Sequence, residues 1–236
     1  MAHRFFAQSP ISSGHTRLDG SEAHHLANVM RATVGAEVVL FDGSGAEFAA
    51  RVTRIGRSGV DLEVLARCDV NREAARELTL GVALPKGDRQ RWLVEKAVEL
   101  GVCRLTPLEI ARGVARPTEQ AIARLRRTVI EASKQCGRNR LMEIMPPTAF
   151  ADYVATVPNN ADRLAAHPVQ TGGDQSTRSL ASSTGAVYLA VGGEGGFTSD
   201  EVSAAAACGW QFVDLGPRIL RVETAALALA AWAVLR

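Results

Sequence analysis

From Leu78 onward the chain alternates short apolar runs with amphipathic segments, and this alternation limits its possible folds more than any other feature. LTLGVALPKG, CRLTPLEI, RLAAHP, AVYLAVGG and WQFVDLG are near-continuously apolar and too short for buried helices. Strands covered on both faces read this way. Between the first two, Leu93, Val94, Ala97, Val98 and Gly101 fall on one helical face of residues 88–101. Residues 118–136 read as a helix stopped by Gly137, a residue suited to the position just past a helix end. Residues 224–236 read as a last helix. Strands alternating with helices predict an α/β domain with a mostly parallel sheet and helices on both faces.

Residues 1–70 follow a different pattern. RFFAQ, EVVLFDG, EFAARVTRIG and GVDLEVLARC are rich in β-formers and are separated by turn signals at Asp42–Gly45 and Gly56–Gly59. Sequential hairpins closing into a small barrel are expected. One helix interrupts them at DGSEAHHLANVMR, where Asp19 and Glu22 have capping-box spacing. The polar stretch 69–77 reads as a linker, which divides the chain into domains 1–72 and 73–236. The Gly-, Ser- and Thr-rich stretch 169–185 reads as a loop.

Net charge is +2, but its distribution is uneven. Residues 86–140 hold 13 Lys and Arg against 6 Asp and Glu. Such a basic stretch is either an electrostatic footprint for nucleic acid or an ordinary solvated surface. Arg124, Arg127 and Lys134 share one face of their helix, an arrangement suited to phosphate contacts. Cys68, Cys103, Cys136 and Cys208 form no CxxC pair, and no zinc-ligand spacing occurs, so no metal is expected and reduced thiols in the cytoplasm are. No run of about 18 apolar residues suggests a membrane span.

Two glycine-containing turns join strands to helices. The first is Val191-Gly192-Gly193-Glu194-Gly195-Gly196-Phe197, followed by a second capping-box pair, Thr198 and Glu201. Glycines there let the backbone approach a ligand closely; a tight turn without a ligand is the plainer alternative. The second is Leu215-Gly216-Pro217-Arg218-Ile219-Leu220-Arg221-Val222-Glu223. Loops beyond the carboxyl ends of parallel strands line the ligand crevice of α/β sheets, so the two turns can converge. The local alternatives are an Arg221–Glu223 salt bridge and a first-turn helix role for Glu223. A dinucleotide site is disfavoured, because GGEGGF is not GxGxxG and too little chain follows for a second nucleotide-binding half.

RFF, HHLANVMR, LPKGDR with EKAVELGV, EASKQCGR, GGEGGFTSDEV and LGPRILRVETA occur in that order. Together they resemble the RsmE-type ribosomal RNA uridine-N3 methyltransferases of the SPOUT superfamily, over essentially the whole chain. The resemblance implies a small N-terminal PUA-like β-barrel and a C-terminal α/β methyltransferase domain containing a deep trefoil knot. It implies a homodimer using S-adenosylmethionine, with S-adenosylhomocysteine as product, on 16S rRNA or the small ribosomal subunit, and no role for DNA or a membrane. The cofactor pocket is then expected around Ala166 and His167, at Gly192, Gly193, Glu194, Gly195 and Gly196, and at Leu215, Gly216, Ile219 and Leu220. The RNA surface is expected to include Arg4, His25, Arg31, Lys86, Arg89, Arg112, Arg116, Arg124, Arg127 and Lys134. Two positions depart from the family pattern: Gly193 stands where proline is usual and Val222 where threonine is usual.

Uracil N3 carries a proton near neutral pH, so methylation there needs a base or stabilisation of the uridinate. Arginine stays protonated and cannot be the base. Arg221 is the expected stabiliser of negative charge on the uracil oxygens, Glu223 the expected base, and Arg138 an expected contributor from the other subunit. A non-catalytic RNA-binding assembly factor is the alternative reading.

Overall fold

The computed structural model describes residues 3–113, 116–168 and 185–234. Residues 169–184 of the expected Gly/Ser/Thr loop lie outside the described residues, as do the last two positions of the expected final helix. The chain forms two compact units, one of Met1–Glu73 with Ile130–Leu141, the other of Ala74–Val129 with Met142–Arg236.

In the first unit, β1 (Arg4–Phe6), β2 (Gly14–Asp19), β3 (Glu37–Phe41), β4 (Glu47–Ile55) and β5 (Gly59–Cys68) form a curled half-barrel in the order β1-β3-β4-β5-β2. Both turn signals make hairpins, β3–β4 and β4–β5. The expectation of sequential hairpins closing into a barrel fails at β1 and β2. These strands do not pair with each other; β1 pairs β3 in parallel. A parallel pair needs a long crossover, and β2 together with α1 (Gly20–His24) supplies it. Phe5, Leu18, Leu26, Leu40, Phe48 and Leu62 fill the core of this unit.

The first capping box is also absent. Asp19 makes no side-chain cap bond, and α1 passes into a π-helical turn at His25–Val29. Glu22 is buried and accepts from the Phe6 backbone N–H at 3.1 Å, and Lys134 Nζ lies 2.9 Å from its other oxygen. Its carboxylate is engaged by β1 and Lys134 instead of by the helix start.

In the second unit, β6 (Leu78–Val82), β7 (Arg104–Glu109), β8 (Glu143–Ile144), β10 (Asp162–Ala166), β11 (Val187–Val191) and β12 (Gln211–Val213) form a sheet in the order β12-β10-β11-β6-β7-β8. The two-residue strand β9 (Thr148–Ala149) pairs with β7 off this path. Every pairing in this sheet is parallel. The helices are α2 (Asp88–Glu99), α4 (Phe150–Ala155), α5 (Ser199–Ala207) and α6 (Val222–Val234), together with the first part of α3 (Glu119–Cys136), whose residues from Ile130 onward belong to the first unit. Helix α2 buries Leu93, Val94, Ala97 and Val98, as its spacing predicts. Helix α6 begins two residues earlier than expected, which brings Glu223 into its first turn. Gly81 in β6 has a packing reason: a Cβ there would sit 2.6 Å from the Tyr153 ring, whose hydroxyl donates to Leu189 O at 2.9 Å. No described helix is long and apolar enough to cross a membrane.

Candidate active site

The register of the parallel sheet brings four strand ends level. Ala166 lies opposite both Val191 and Val213, and Val191 lies opposite Val82. His167 N donates to Val213 O at 3.1 Å, and Ala83 N to Val191 O at 3.0 Å, so the ladders persist to the edge. The segments that leave this edge are Ala83–Gly87, Ala166–His167, Gly192–Phe197 and Asp214–Gly216. The sheet thus assembles Ala166, His167 and both glycine turns at one place, where α/β folds bind ligands.

The first glycine turn is tightly built. Gly196 adopts φ +64° and donates to Gly193 O at 2.9 Å. A Cβ on Gly192 would lie 3.2 Å from the Gly196 carbonyl carbon and 3.3 Å from Phe197 N. Phe197 is buried and stacks on Phe150 at 4.5 Å, anchoring the end of the turn. The Thr198–Glu201 capping box forms in full, and Glu201 also accepts from Ala111 N at 2.8 Å. On its other side the turn meets the segment after β7. Arg112 donates to Gly195 O at 3.0 Å, and its Cβ would be 3.1 Å from a Cβ on Gly195. The close approach that Gly195 permits among the described residues is therefore that of Arg112. Nothing in the local sequence pairs Ile110–Gly113 with this turn.

In the second turn, Asp214 Oδ1 accepts from Gly216 N at 2.8 Å, Leu215 and Leu220 are half-buried, and Ile219 is fully exposed. Arg221 is exposed; its carbonyl accepts from Ala225 N at 2.9 Å, which makes it the start of α6. Glu223 is buried at 5% exposure. The salt bridge that local sequence suggests between Arg221 and Glu223 does not form. Arg89 of α2 faces Glu223 instead, with Nη1 3.8 Å from Oε2. That separation is too long for a hydrogen bond, and Oε2 has no hydrogen-bond partner among the described residues. Arg89 Nη2 also donates to Glu194 Oε1 at 3.0 Å, tying the first glycine turn to the same guanidinium. His167 stands edge-on to Phe212 at 5.8 Å, and burial pushes its imidazole below the usual histidine value.

The structure separates the basic residues into two groups. Lys86, Arg112, Arg116, Arg124 and Arg127 are exposed, as is Arg31, which adopts φ +51° after the π-helical turn. Arg116 is ion-paired with Glu109. His25 is half-buried, edge-on to Phe5. Arg4 lies between Glu47 at 2.7 Å and Asn139 Oδ1 at 2.6 Å. Lys134 is paired with Glu22, and its side chain is 9% exposed. Arg138 is buried and bound to Glu73, with Nε donating to Oε1 at 3.2 Å. Breaking such a buried pair costs about 3–5 kcal/mol, so Arg4, Lys134 and Arg138 are held by acids of their own unit.

Glycine turns at level strand ends, with a buried acid and an exposed arginine at the start of one helix, define the class when set beside known proteins. The family model for the RNA methyltransferase domain matches residues 72–234, and that for the RNA methyltransferase PUA domain matches residues 18–65. The chain is 33% identical over 232 residues to ribosomal RNA small subunit methyltransferase E of Mycobacterium bovis, spanning 92% of this chain and 86% of that protein. It is 28% identical to the Bacillus subtilis protein of the same name, over 89% and 86% of the two chains. The crystal structure of the Neisseria gonorrhoeae ribosomal RNA small subunit methyltransferase E bound to S-adenosyl methionine superimposes with a TM-score of 0.89 at 31% identity, covering 98% of this chain and 96% of that one. The chain belongs to the ribosomal RNA small subunit methyltransferase E family.

Proposed function

We propose that this protein methylates N3 of a uridine in the 16S RNA of the small ribosomal subunit, using S-adenosylmethionine, as a cytoplasmic homodimer. The observation that carries the reading is the level convergence of Ala166–His167, the Gly192–Gly196 turn and the Leu215–Leu220 turn beside a buried carboxylate with an unpartnered oxygen. This cradle fits the cofactor. Gly192 leaves backbone that a Cβ would crowd, and Gly195 and Gly216 lie exposed in the two turns. Ala166, His167, Gly192–Gly196, Leu215, Gly216, Ile219 and Leu220 would hold it, with backbone groups making most of the contacts. The bound cofactor supplies a methyl group on a cationic sulfonium.

The remaining chemistry falls to side chains. Glu223 takes the N3 proton, because its Oε2 is buried without a donor and an N–H there would satisfy it. Arg221, exposed and without an ion pair among the described residues, is free to hold the developing charge on a uracil oxygen. N3 lies on the Watson–Crick edge, so the target base must be unpaired or extruded. Arg138 is reassigned: its pair with Glu73 gives it a structural role, and we give it none in catalysis. The homodimer is supported by α6, which is apolar on nearly every side and leaves Leu227, Ala228 and Ala231 partly uncovered.

RNA contact falls to the exposed cations. Arg124→Gln and Arg127→Gln should each flatten the plot of log K against log salt by roughly 0.7–0.9. Lys134→Gln should leave that slope unchanged and lower the melting temperature, because it strands Glu22. Filter binding over a salt series checks all three. The function itself is tested by mass spectrometry of small-subunit RNA nucleosides from cells with and without the protein. Loss of 3-methyluridine on deletion, restored by re-expression, is the expected result; an unchanged nucleoside profile overturns the reading.

A further inference from the structure

Arg89 sits in the first turn of α2 and was expected from sequence to bind RNA. The geometry points to a different task. Its guanidinium is one-third exposed and shared between two carboxylates, Glu194 of the first glycine turn at 3.0 Å and Glu223 of α6 at 3.8 Å. The two acids come from different segments of the candidate site: one from the loop that would cradle the cofactor, the other the proposed base at the start of α6. Helix α2 is firmly placed, since Leu93, Val94, Ala97 and Val98 are fully buried, and it packs against α6. A planar guanidinium on a fixed helix can orient two acids at once, which a flexible ammonium does less well.

We infer that Arg89 is a positioning residue that links the glycine turn to Glu223, so that the orientation of the base depends on the state of the cofactor loop. The inference rests on the assignment of Glu223 as base. A carboxylate that is almost fully buried, with one oxygen unbonded, has no neighbour other than Arg89 among the described cations within ion-pair reach. The Glu194 arm is largely exposed, with a side chain at 69%, so its own contribution to stability is small. An exposed pair of little energetic worth that ends on a buried, under-bonded acid is better suited to steering than to holding the fold together.

The test uses Arg89→Met, Arg89→Lys, Glu194→Gln and the Arg89→Met/Glu194→Gln double variant of the full chain. Four quantities are measured on each: single-turnover methylation at saturating cofactor and RNA, calorimetric affinity for S-adenosylhomocysteine, melting temperature, and the salt dependence of RNA binding. Misplacement of a reacting group costs up to about 10²-fold in rate. Arg89→Met should approach that loss, with the salt slope near wild type and a lowered melting temperature, because it strands the buried Glu223 carboxylate. Glu194→Gln should lose less, Arg89→Lys should recover part of the rate, and the double variant should be no slower than Arg89→Met. A salt slope lowered by roughly 0.7–0.9, with the rate restored at saturating RNA, makes Arg89 a phosphate contact and overturns the inference. So does strict additivity of the two single losses. If Arg89→Met fails to fold, the Arg89→Lys and Glu194→Gln rates decide: both at wild-type level overturn the linkage. A wild-type rate in Glu223→Gln defeats the base assignment, whereas an inactive Glu223→Gln beside a normal Arg89→Met defeats the Arg89 inference alone.

Discussion

Arg221→Ala is expected to slow single-turnover methylation by about 10²–10³-fold, the usual cost of one preorganised charge-stabilising donor, with cofactor affinity and melting temperature close to wild type. Stability should be spared because Arg221 is exposed and makes no ion pair among the described residues; its carbonyl, which begins α6, is kept in the variant. Had the guanidinium paired with Glu223, its removal would have stranded a buried charge and cost stability; Arg89 occupies that place instead. Arg221→Lys should also be slow, since it keeps the charge but loses the planar fork of donors. Raising the pH should partly rescue both variants, because more uridine then ionises unaided. Rate and melting curve measured on the same preparation check the prediction, and a stable Arg221→Ala with a normal rate would defeat the assignment.

Glu223→Gln should lose about 10²–10⁴-fold in rate, the range general-base catalysis contributes, while folding as well as the parent. The carboxylate is 5% exposed, has an unbonded oxygen, and meets its nearest cation at 3.8 Å. Such a group is costly to bury, and an isosteric neutral amide relieves much of that cost. Lost activity with equal or higher thermal stability is the pattern of a site whose chemistry is maintained against the fold's own preference. The alternative is that Glu223 serves mainly the amino terminus of α6, where a negative charge is worth about 0.3–1 kcal/mol. That role predicts the reverse: a lower melting temperature and a normal rate. Differential scanning calorimetry beside single-turnover kinetics separates the two.

The charged residues show where sequence stopped being informative. Arg124 and Lys134 share a helical face by spacing, yet the first is exposed and the second is buried on Glu22. A helical wheel places side chains around their own axis and says nothing about what faces each one. Asp19 and Glu22 have the same spacing as Thr198 and Glu201, yet only the second pair forms a capping box. The difference lies outside the motif: Glu22 is drawn to Phe6 N and Lys134, whereas Glu201 turns one oxygen to Thr198 N and the other to Ala111 N.

By itself the sequence determined the kinds of element and the two glycine-containing turns of the candidate site. The apolar runs that became β6, β7, β10, β11 and β12, the buried stripe of α2, the stop of α3 at Gly137 and the glycines at 192–196 are all short-range signals. Each depends on steric or hydrogen-bonding demands within a few residues of chain. The order of strands in the sheet, the parallel β1–β3 pairing, and the partner of every buried charge were decided by tertiary structure. Arg89 meets Glu194 and Glu223 because parallel register levels the strand ends and α2 packs on α6. Coulombic and packing energies depend on distance in space, which separation along the chain does not encode.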